Sequence, residues 1–367
     1  MIIDSKDVSV VLQGPIRGEI TLKCIKSIRQ FLPNAEIILS TWKNEDVSQL
    51  DYDKLVLCDD PGAALLCIRH KKQIYNNMNR QLVTTQEGLK LAERKYILKF
   101  RTDLIITSPN FLRFWDSYQC RSDEYVLFKH KIIVPTLFSR LKIDFGKREW
   151  LDTPFHISDW WFFGLNEDVK TYFLDTNLVE EPYFTQYFSD KNNENKNNPY
   201  GKAKHRFSPE QYYTYSCFSR NFADIKMEDA ADLNPEIIEK SRKCLINNFI
   251  ILEYKQSGIY LPKYLFSKNE KCSGRQYLGL YNFNKFENEY KKYCDSSYQL
   301  TSQDICAVNE KMEYSILRVY KHFYRLIGEE LPFYKKFEQL FIGIPISIIT
   351  CLFDFIRYKA WRKNNDN

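Results

Sequence analysis

In the stretch KYILKFRTDLIITSPNF, Lys95 to Phe111, an arginine and an aspartate follow directly on one apolar run and precede another. These are Arg101 and Asp103. An arginine fork matches phosphate oxygens and stays charged at any working pH, and one carboxylate can hold a divalent ion whose other ligands are phosphate oxygens and waters. The same two residues could also form no more than an ion pair at a strand end. A further carboxylate, Asp159, interrupts the apolar run FHISDWWFFGL, Phe155 to Leu165, with Trp160 and Trp161 beside it. Apolar surroundings raise the proton affinity of a carboxylate toward the range a general base needs. Glu210 is its rival. It lies in the first turn of SPEQYYTY, where Ser208 is placed to cap a helix and Pro209 to open it, and favourable charge at a helix start explains it without chemistry.

These residues need elements to hold them. Val8 to Leu12, Ile37 to Ser40 and Leu55 to Leu57 are short apolar runs followed by polar or turn residues, so they are expected to be strands. Between the first two, Ile20, Cys24, Ile25, Ile28 and Phe31 recur at helical spacing until Pro33 stops the pattern. Leu82, Val83, Gln86, Leu89 and Ala92 mark a second helix within Asn79 to Arg94, which feeds a fourth strand, Tyr96 to Phe100. Alternating strands and helices predict an α/β fold with a largely parallel sheet covered on both faces. Ligands gather at the carboxyl ends of such strands. The positions to watch are therefore Gln13 to Pro15, Ser40 to Lys43, Asp59 to Gly62 and Arg101 to Asp103.

The later chain is less regular. Ser189 to His205, rich in Asn and Lys, is expected to be a mobile loop, and the chain past Asp229 is mainly helical in pattern, including Ile316 to Leu326. We expect three parts: residues 1–230 forming the sheet domain, 231–339 a helical extension, and 340–367 a tail. The tail reads LFIGIPISIITCLFDFI from Leu340 to Ile356, seventeen residues with one charge, Asp354, followed by Arg357, Lys359, Arg362 and Lys363. A spanning helix wants about 20 apolar residues. Pro345 and the basic flank with Tyr358 and Trp361 suit a helix lying in an anionic cytoplasmic interface better, a buried helix being the alternative.

Composition narrows the classes. The 367 residues are 44% hydrophobic and 16% aromatic, which is globular. The net charge of +6 comes from interspersed charges of both signs, with no basic helix or aromatic RNA-binding signature, so nucleic acid is not an expected partner. The ten cysteines include no Cys-x-x-Cys pair, which speaks against zinc and disulfide frameworks. Asp4 and Asp7 stand where a signal peptide would be basic, so a reducing cytoplasm is expected.

The layout from Asn79 to Asp103, an Asn-led helix with a Gly near its end, an apolar strand and then an acidic motif, resembles the inverting GT-A glycosyltransferases. More closely, VVLQGPI at Val10, LPNAEIILSTWKNED at Leu32, LVLCDDPGA at Leu55 and NNMNRQLVTTQEGLKLA at Asn76 resemble the WavE lipopolysaccharide-synthesis family. The likeness is dense from Val8 to Asp103 and thinner through HISDWWFFG to about Tyr215. It implies a nucleotide-sugar donor whose diphosphate sits after the fourth strand and a lipid-linked saccharide acceptor such as a lipopolysaccharide core; with the tail, peripheral attachment to the inner face of the cytoplasmic membrane is expected.

On that resemblance, Gln13, Gly14 and Pro15 lie against the nucleoside. Asp59 and Asp60 face the base or ribose, or join Asp103 on a metal, and Asn79 and Arg80 face the donor phosphates. Turns and a helix cap explain the same residues equally well. Arg101 replaces the first Asp of the Asp-x-Asp motif, which leaves open whether Mg2+ or Mn2+ on Asp103, or Arg101 itself, meets the diphosphate. Asp159 is the preferred acceptor base over Glu210, with His156, Trp160 and Trp161 near the acceptor, where aromatic faces can stack on sugar rings. A nucleotide-dependent oxidoreductase is disfavoured because Gln-Gly-Pro, rather than Gly-x-Gly-x-x-Gly, follows the first strand. A catalytically decayed membrane-associated scaffold is the remaining alternative.

Overall fold

Val8, Val10, Val11 and Leu12 are fully buried, which requires the first strand to be covered on both faces. In the computed structural model it sits inside a seven-stranded sheet. Residues 3–69, 72–146, 149–180, 184–189, 204–230, 232–262, 279–300 and 333–365 are described. The strands are β1 (Val8–Gln13), β2 (Glu36–Trp42), β3 (Lys54–Cys58), β4 (Ala64–Arg69), β5 (Lys72–Asn76), β6 (Tyr96–Arg101), β7 (Ile105–Ile106), β8 (Ile132–Pro135), β9 (Lys142–Gly146), β10 (Glu149–Asp152), β11 (Phe162–Leu165), β12 (Phe249–Leu252) and β13 (Ile259–Tyr260). The main sheet has the order β12-β8-β11-β6-β1-β2-β3. All its pairings are parallel except those of β11, which runs against both β6 and β8. The α/β class and the mostly parallel sheet are thus as expected.

Helix α1 (Glu19–Phe31) carries the chain from β1 outward to β2, and α2 (Met78–Lys90) carries it back from the β3 side to β6. With right-handed crossovers, the reversal puts α1 and α2 on opposite faces and makes the β1/β6 boundary the switch point. Gly88 lets α2 lie close on the sheet, since a Cβ there would fall 2.5 Å from Val11 Cγ1 and 3.1 Å from Ser40 Cβ. Register aligns Gln13 with Arg101, so both strands end side by side at that boundary. Because β11 is antiparallel, the residues just before it, including Asp159 to Trp161, arrive at this same sheet edge.

The remaining helices of this unit are α3 (Asn166–Phe173), α4 (Pro209–Asn221), α5 (Pro235–Asn248), α6 (Tyr254–Ser257) and α7 (Phe283–Tyr293). The start of α4 is as read from sequence: the Ser208 side chain accepts from Gln211 N and Pro209 opens the first turn. Three features depart from expectation. Phe155 to Trp161 is buried but irregular, and only Phe162–Leu165 forms strand. The β4/β5 hairpin was not legible in the sequence. Phe249–Leu252 completes the sheet, and one compact unit spans Met1–Leu261 with Gly279–Tyr298.

The second unit comprises Pro262–Leu278 and Gln299–Asn367. Its described part holds a helix at Phe333–Glu338, a π-helical stretch at Gln339–Gly343 and a long helix at Ile344–Asn365. Pro345 follows the π-helical stretch within an unbroken helical run, and the widened turn is where the missing N–H and the ring of a proline are accommodated. The helix expected at Ile316 to Leu326 and most of the expected mobile loop from Ser189 lie outside the described residues.

Candidate functional site

The loop after β1 and the loop after β6 are tied together at the switch point. Thr102 N donates to Gln13 O at 3.2 Å and Thr102 Oγ1 to Pro15 O at 2.7 Å. Gly14 adopts a φ of +118°, where an added Cβ would also crowd Thr102 Oγ1 at 3.3 Å, so glycine is required by both conformation and space. The Gln13 side chain is buried, and its Oε1 accepts from Thr84 of α2 at 3.0 Å.

Arg101 grips Asp103 in a bidentate pair, with Nε to Oδ1 at 2.9 Å and Nη2 to Oδ2 at 2.8 Å. The Asp103 side chain is only 4% exposed, against 20% for Arg101. A second guanidinium, that of Arg17, stands with Nε 3.7 Å from Asp103 Oδ2. The Arg101 guanidinium also lies over the Trp160 ring, 5.6 Å from its centroid, a cation–π arrangement that fixes it from another side. Burial first, and then the charge of Asp103, push the Cys24 thiol well above its usual range, so it stays protonated beneath the pair.

Asp159 is held by its backbone. Its carbonyl accepts from Lys99 Nζ and, at 2.8 Å, from Gln81 Nε2 of α2. Its carboxylate takes no hydrogen bond among the described residues. Lys99 is fully buried two positions before Arg101 on the same strand face, and burial pushes its amine down to about 7 against the opposing pull of Asp159. Glu210 is the carboxyl with raised proton affinity: burial first, and Asp159 second, push it up to about 7, while Arg140 and the Ser208 hydroxyl pull the other way. The sequence points first to Asp159 as the base. The charge it places near Glu210 is what the sequence did not reveal. Arg140 stacks on Phe138, 5.1 Å from the ring centroid. Burial and then the Arg140 charge hold His156 well below its usual value, so its imidazole is neutral.

The other expected residues divide. Asp60 accepts from Arg80 Nε at 2.7 Å and Nη2 at 2.6 Å, which holds its carboxyl below the usual range. Asp59 pairs with Lys43 at 2.7 Å on the surface. The Asn79 amide is committed to the backbone of Val179, donating at 3.0 Å and accepting at 2.9 Å, and it is Asn77 that occupies the cap position of α2. Asn79 therefore pins the 174–180 segment rather than presenting its amide to a ligand. Trp161 is 1% exposed and packs against Phe111, 6.0 Å between centroids, so it offers no open ring face. Trp160 packs edge-on to Phe138 beneath Arg101. Sequence reasoning missed Arg17, Lys99 and Arg140. A lysine inside an otherwise apolar strand was a readable signal for Lys99; Arg17 and Arg140 lie in loops without pattern.

The donor set does not fit a metal centre as arranged. Both oxygens of Asp103 are taken by Arg101, and among the described residues no group of three or more His, Cys, Asp or Glu side chains is placed to share an ion.

The fold and site define an α/β protein with two arginines about one buried aspartate at the switch point of its sheet and with Asp159 and Glu210 near each other. The chain belongs to the WavE lipopolysaccharide synthesis family, whose model matches residues 8–320. Comparison with curated proteins gave no match. Among solved structures, a Drosophila beta-1,4-galactosyltransferase 7 mutant, in complex with manganese, UDP-Gal and xylobiose, is similar at 12% identity over 45% of this chain and 51% of that one, with a TM-score of 0.24. The chain thus spans about half the length of that structure.

Proposed function

We propose that this protein is a GT-A-type glycosyltransferase that moves a sugar from a nucleotide-sugar donor to a lipopolysaccharide-core or other surface-saccharide acceptor, with inversion at the anomeric carbon. Beyond family membership, the observation that carries this reading is the convergence at one sheet edge of Arg101 with Asp103 and of Asp159 with Glu210. Each supplies one half of the chemistry. Breaking the bond to the anomeric carbon puts negative charge on a departing nucleoside diphosphate, and fixed positive charge there lowers the barrier. The acceptor hydroxyl must lose a proton as it attacks, and a carboxyl near 7 is matched to that task at neutral pH. We assign the base role to Glu210, with Asp159 setting its proton affinity. Lys99 and Gln81 are positioning residues, since they hold the Asp159 backbone.

Acceptor delivery is assigned to a membrane surface on the cytoplasmic side. Leu340, Phe341, Ile346, Ile349, Leu352 and Phe353 are all exposed, and Lys336–Phe353 is apolar enough by length and composition to cross a membrane. With a basic flank following it, interfacial attachment of this tail accounts for both features.

Thermal unfolding of the full chain with UDP, GDP or CMP, each with and without manganese, and with NAD for comparison, tests the donor assignment. Stabilisation by one of the nucleotides is expected. Stabilisation by NAD alone would favour an oxidoreductase, and none by any of them would remove the transferase reading.

A further inference from the structure

We propose that Arg17, acting with Arg101, forms a two-arginine clamp for the donor diphosphate, and that this clamp takes the place of a divalent ion at the leaving group. The inference rests on the transferase reading above and extends it to a residue and a cofactor requirement.

Arg17 belongs to a fixed loop. Gly14 N donates to Ser40 O at 3.1 Å, Pro15 O accepts from Thr102, and Arg17 N donates to Thr21 Oγ1, buried in α1, at 2.9 Å. This holds the Arg17 backbone above the end of β6 while its side chain remains 47% exposed. The guanidinium makes no side-chain hydrogen bond among the described residues; its one close charge is Asp103, at 3.7 Å. Two guanidinium groups around one carboxylate leave a net positive charge at the ends of β1 and β6. The first turn of α1 follows directly, with no side-chain hydrogen bond capping it, and the partial positive charge of a helix start adds to that of the arginines. A divalent ion placed on Asp103 would share a carboxylate that Arg101 already grips at both oxygens and would sit beside two cations. Asp59 and Asp60, the acids read from the sequence as sharing a metal with Asp103, are engaged by Lys43 and Arg80.

In the step this implies, the acceptor oxygen bonds to the anomeric carbon as the bond from that carbon to the β-phosphate oxygen breaks. The bonding pair leaves on the nucleoside diphosphate, where Arg17 and Arg101 meet the new charge, and the acceptor proton passes to Glu210. Arg17 is thus a catalytic residue, while Asp103 is a positioning residue that orients Arg101.

The test is calorimetric binding of UDP, GDP, CDP and inorganic pyrophosphate to the full chain, in excess EDTA and then in manganese, for the wild type and Arg17→Ala. The expected result is that at least one nucleoside diphosphate binds in EDTA, that manganese changes its affinity little, and that Arg17→Ala weakens it at least ~10-fold with an unchanged unfolding temperature. For turnover, loss of one such donor should cost about 100-fold in kcat, with partial rescue by Arg17→Lys. Binding that needs manganese and ignores Arg17→Ala would overturn the clamp while leaving the transferase reading intact. Binding in EDTA that ignores Arg17→Ala would overturn the role of Arg17. Absence of binding by all four probes in both conditions would overturn clamp and transferase together.

Discussion

Replacing Glu210 by Gln should make the protein more stable at alkaline pH than at present, by an amount the site fixes. Its carboxyl titrates at about 7 in the fold, raised from an ordinary 4.5, through burial and the charge of Asp159. Between those values the folded chain keeps a proton that the unfolded chain has shed, so stability falls as pH rises from about 4.5 to about 7. At ~1.4 kcal/mol for each factor of ten in proton affinity, the loss is about 3 kcal/mol, or roughly 5 °C in unfolding temperature for a chain of this size. The groups facing Glu210 are Asp159, Arg140, the Ser208 hydroxyl and the phenols of Tyr172 and Tyr213. The Glu210→Gln variant has no proton to lose, so unfolding at about pH 5 and about pH 8 should separate it from the wild type only at the higher pH. Turnover gives the functional counterpart: the base must be ionised, so kcat should rise through about pH 7. Asp159→Asn should move that rise to lower pH, because it removes the neighbouring negative charge. If Glu210→Gln and wild type lose stability in parallel, or if Asp159→Asn leaves the rise where it was, the coupled carboxylate pair is refuted.

Other outcomes follow from single contacts. Lys99→Met keeps the volume of the buried stem but drops the hydrogen bond to the Asp159 carbonyl, so kcat should fall at least ~10-fold with the fold kept. Because the wild type must charge a buried amine below about 7, the same variant should gain stability most at or below that pH, an advantage fading by 10.5, which differential unfolding will show. Gly88→Val should cost about 1–3 kcal/mol or more in denaturant unfolding, since its side chain meets Val11 and Ser40 at the α2 contact with the sheet. Asp103→Ala should abolish transfer with the fold intact, because Arg101 loses both its oxygen partners; retained turnover would refute the role of Asp103. Deleting the chain from Leu340 should move the protein from sedimenting with lipid vesicles to the supernatant, and continued sedimentation would locate the attachment elsewhere.

The sheet half of the fold was legible because its signals are local. Apolar runs ending in polar turns marked β1, β2, β3 and β6 to within two residues at either end, and the helical spacing before Pro33 marked α1. What escaped was non-local. β8 and β12 are four residues each, too short to show a period, and they pair with one another across more than a hundred residues of chain, β8 with β11 as well. The run around Asp159 is as apolar as a strand, yet its first half bends to bring the Asp159 carbonyl to Lys99 and Gln81. Strand ends predicted where charge would gather, but not its pairing. That Arg101 holds Asp103, that Asn79 holds Val179, and that Asp159 raises the proton affinity of Glu210 are facts of proximity between segments.

The central claim is that a nucleoside diphosphate docks at the switch point between β1 and β6. A crystal structure of the full chain with the nucleotide that stabilises it tests this most directly. The expected density has its phosphates between the Gly14 to Gly18 loop and the side chains of Arg17 and Arg101, with the sugar-bearing end toward Glu210. Nucleotide bound elsewhere on the molecule, with both arginines untouched, would contradict it.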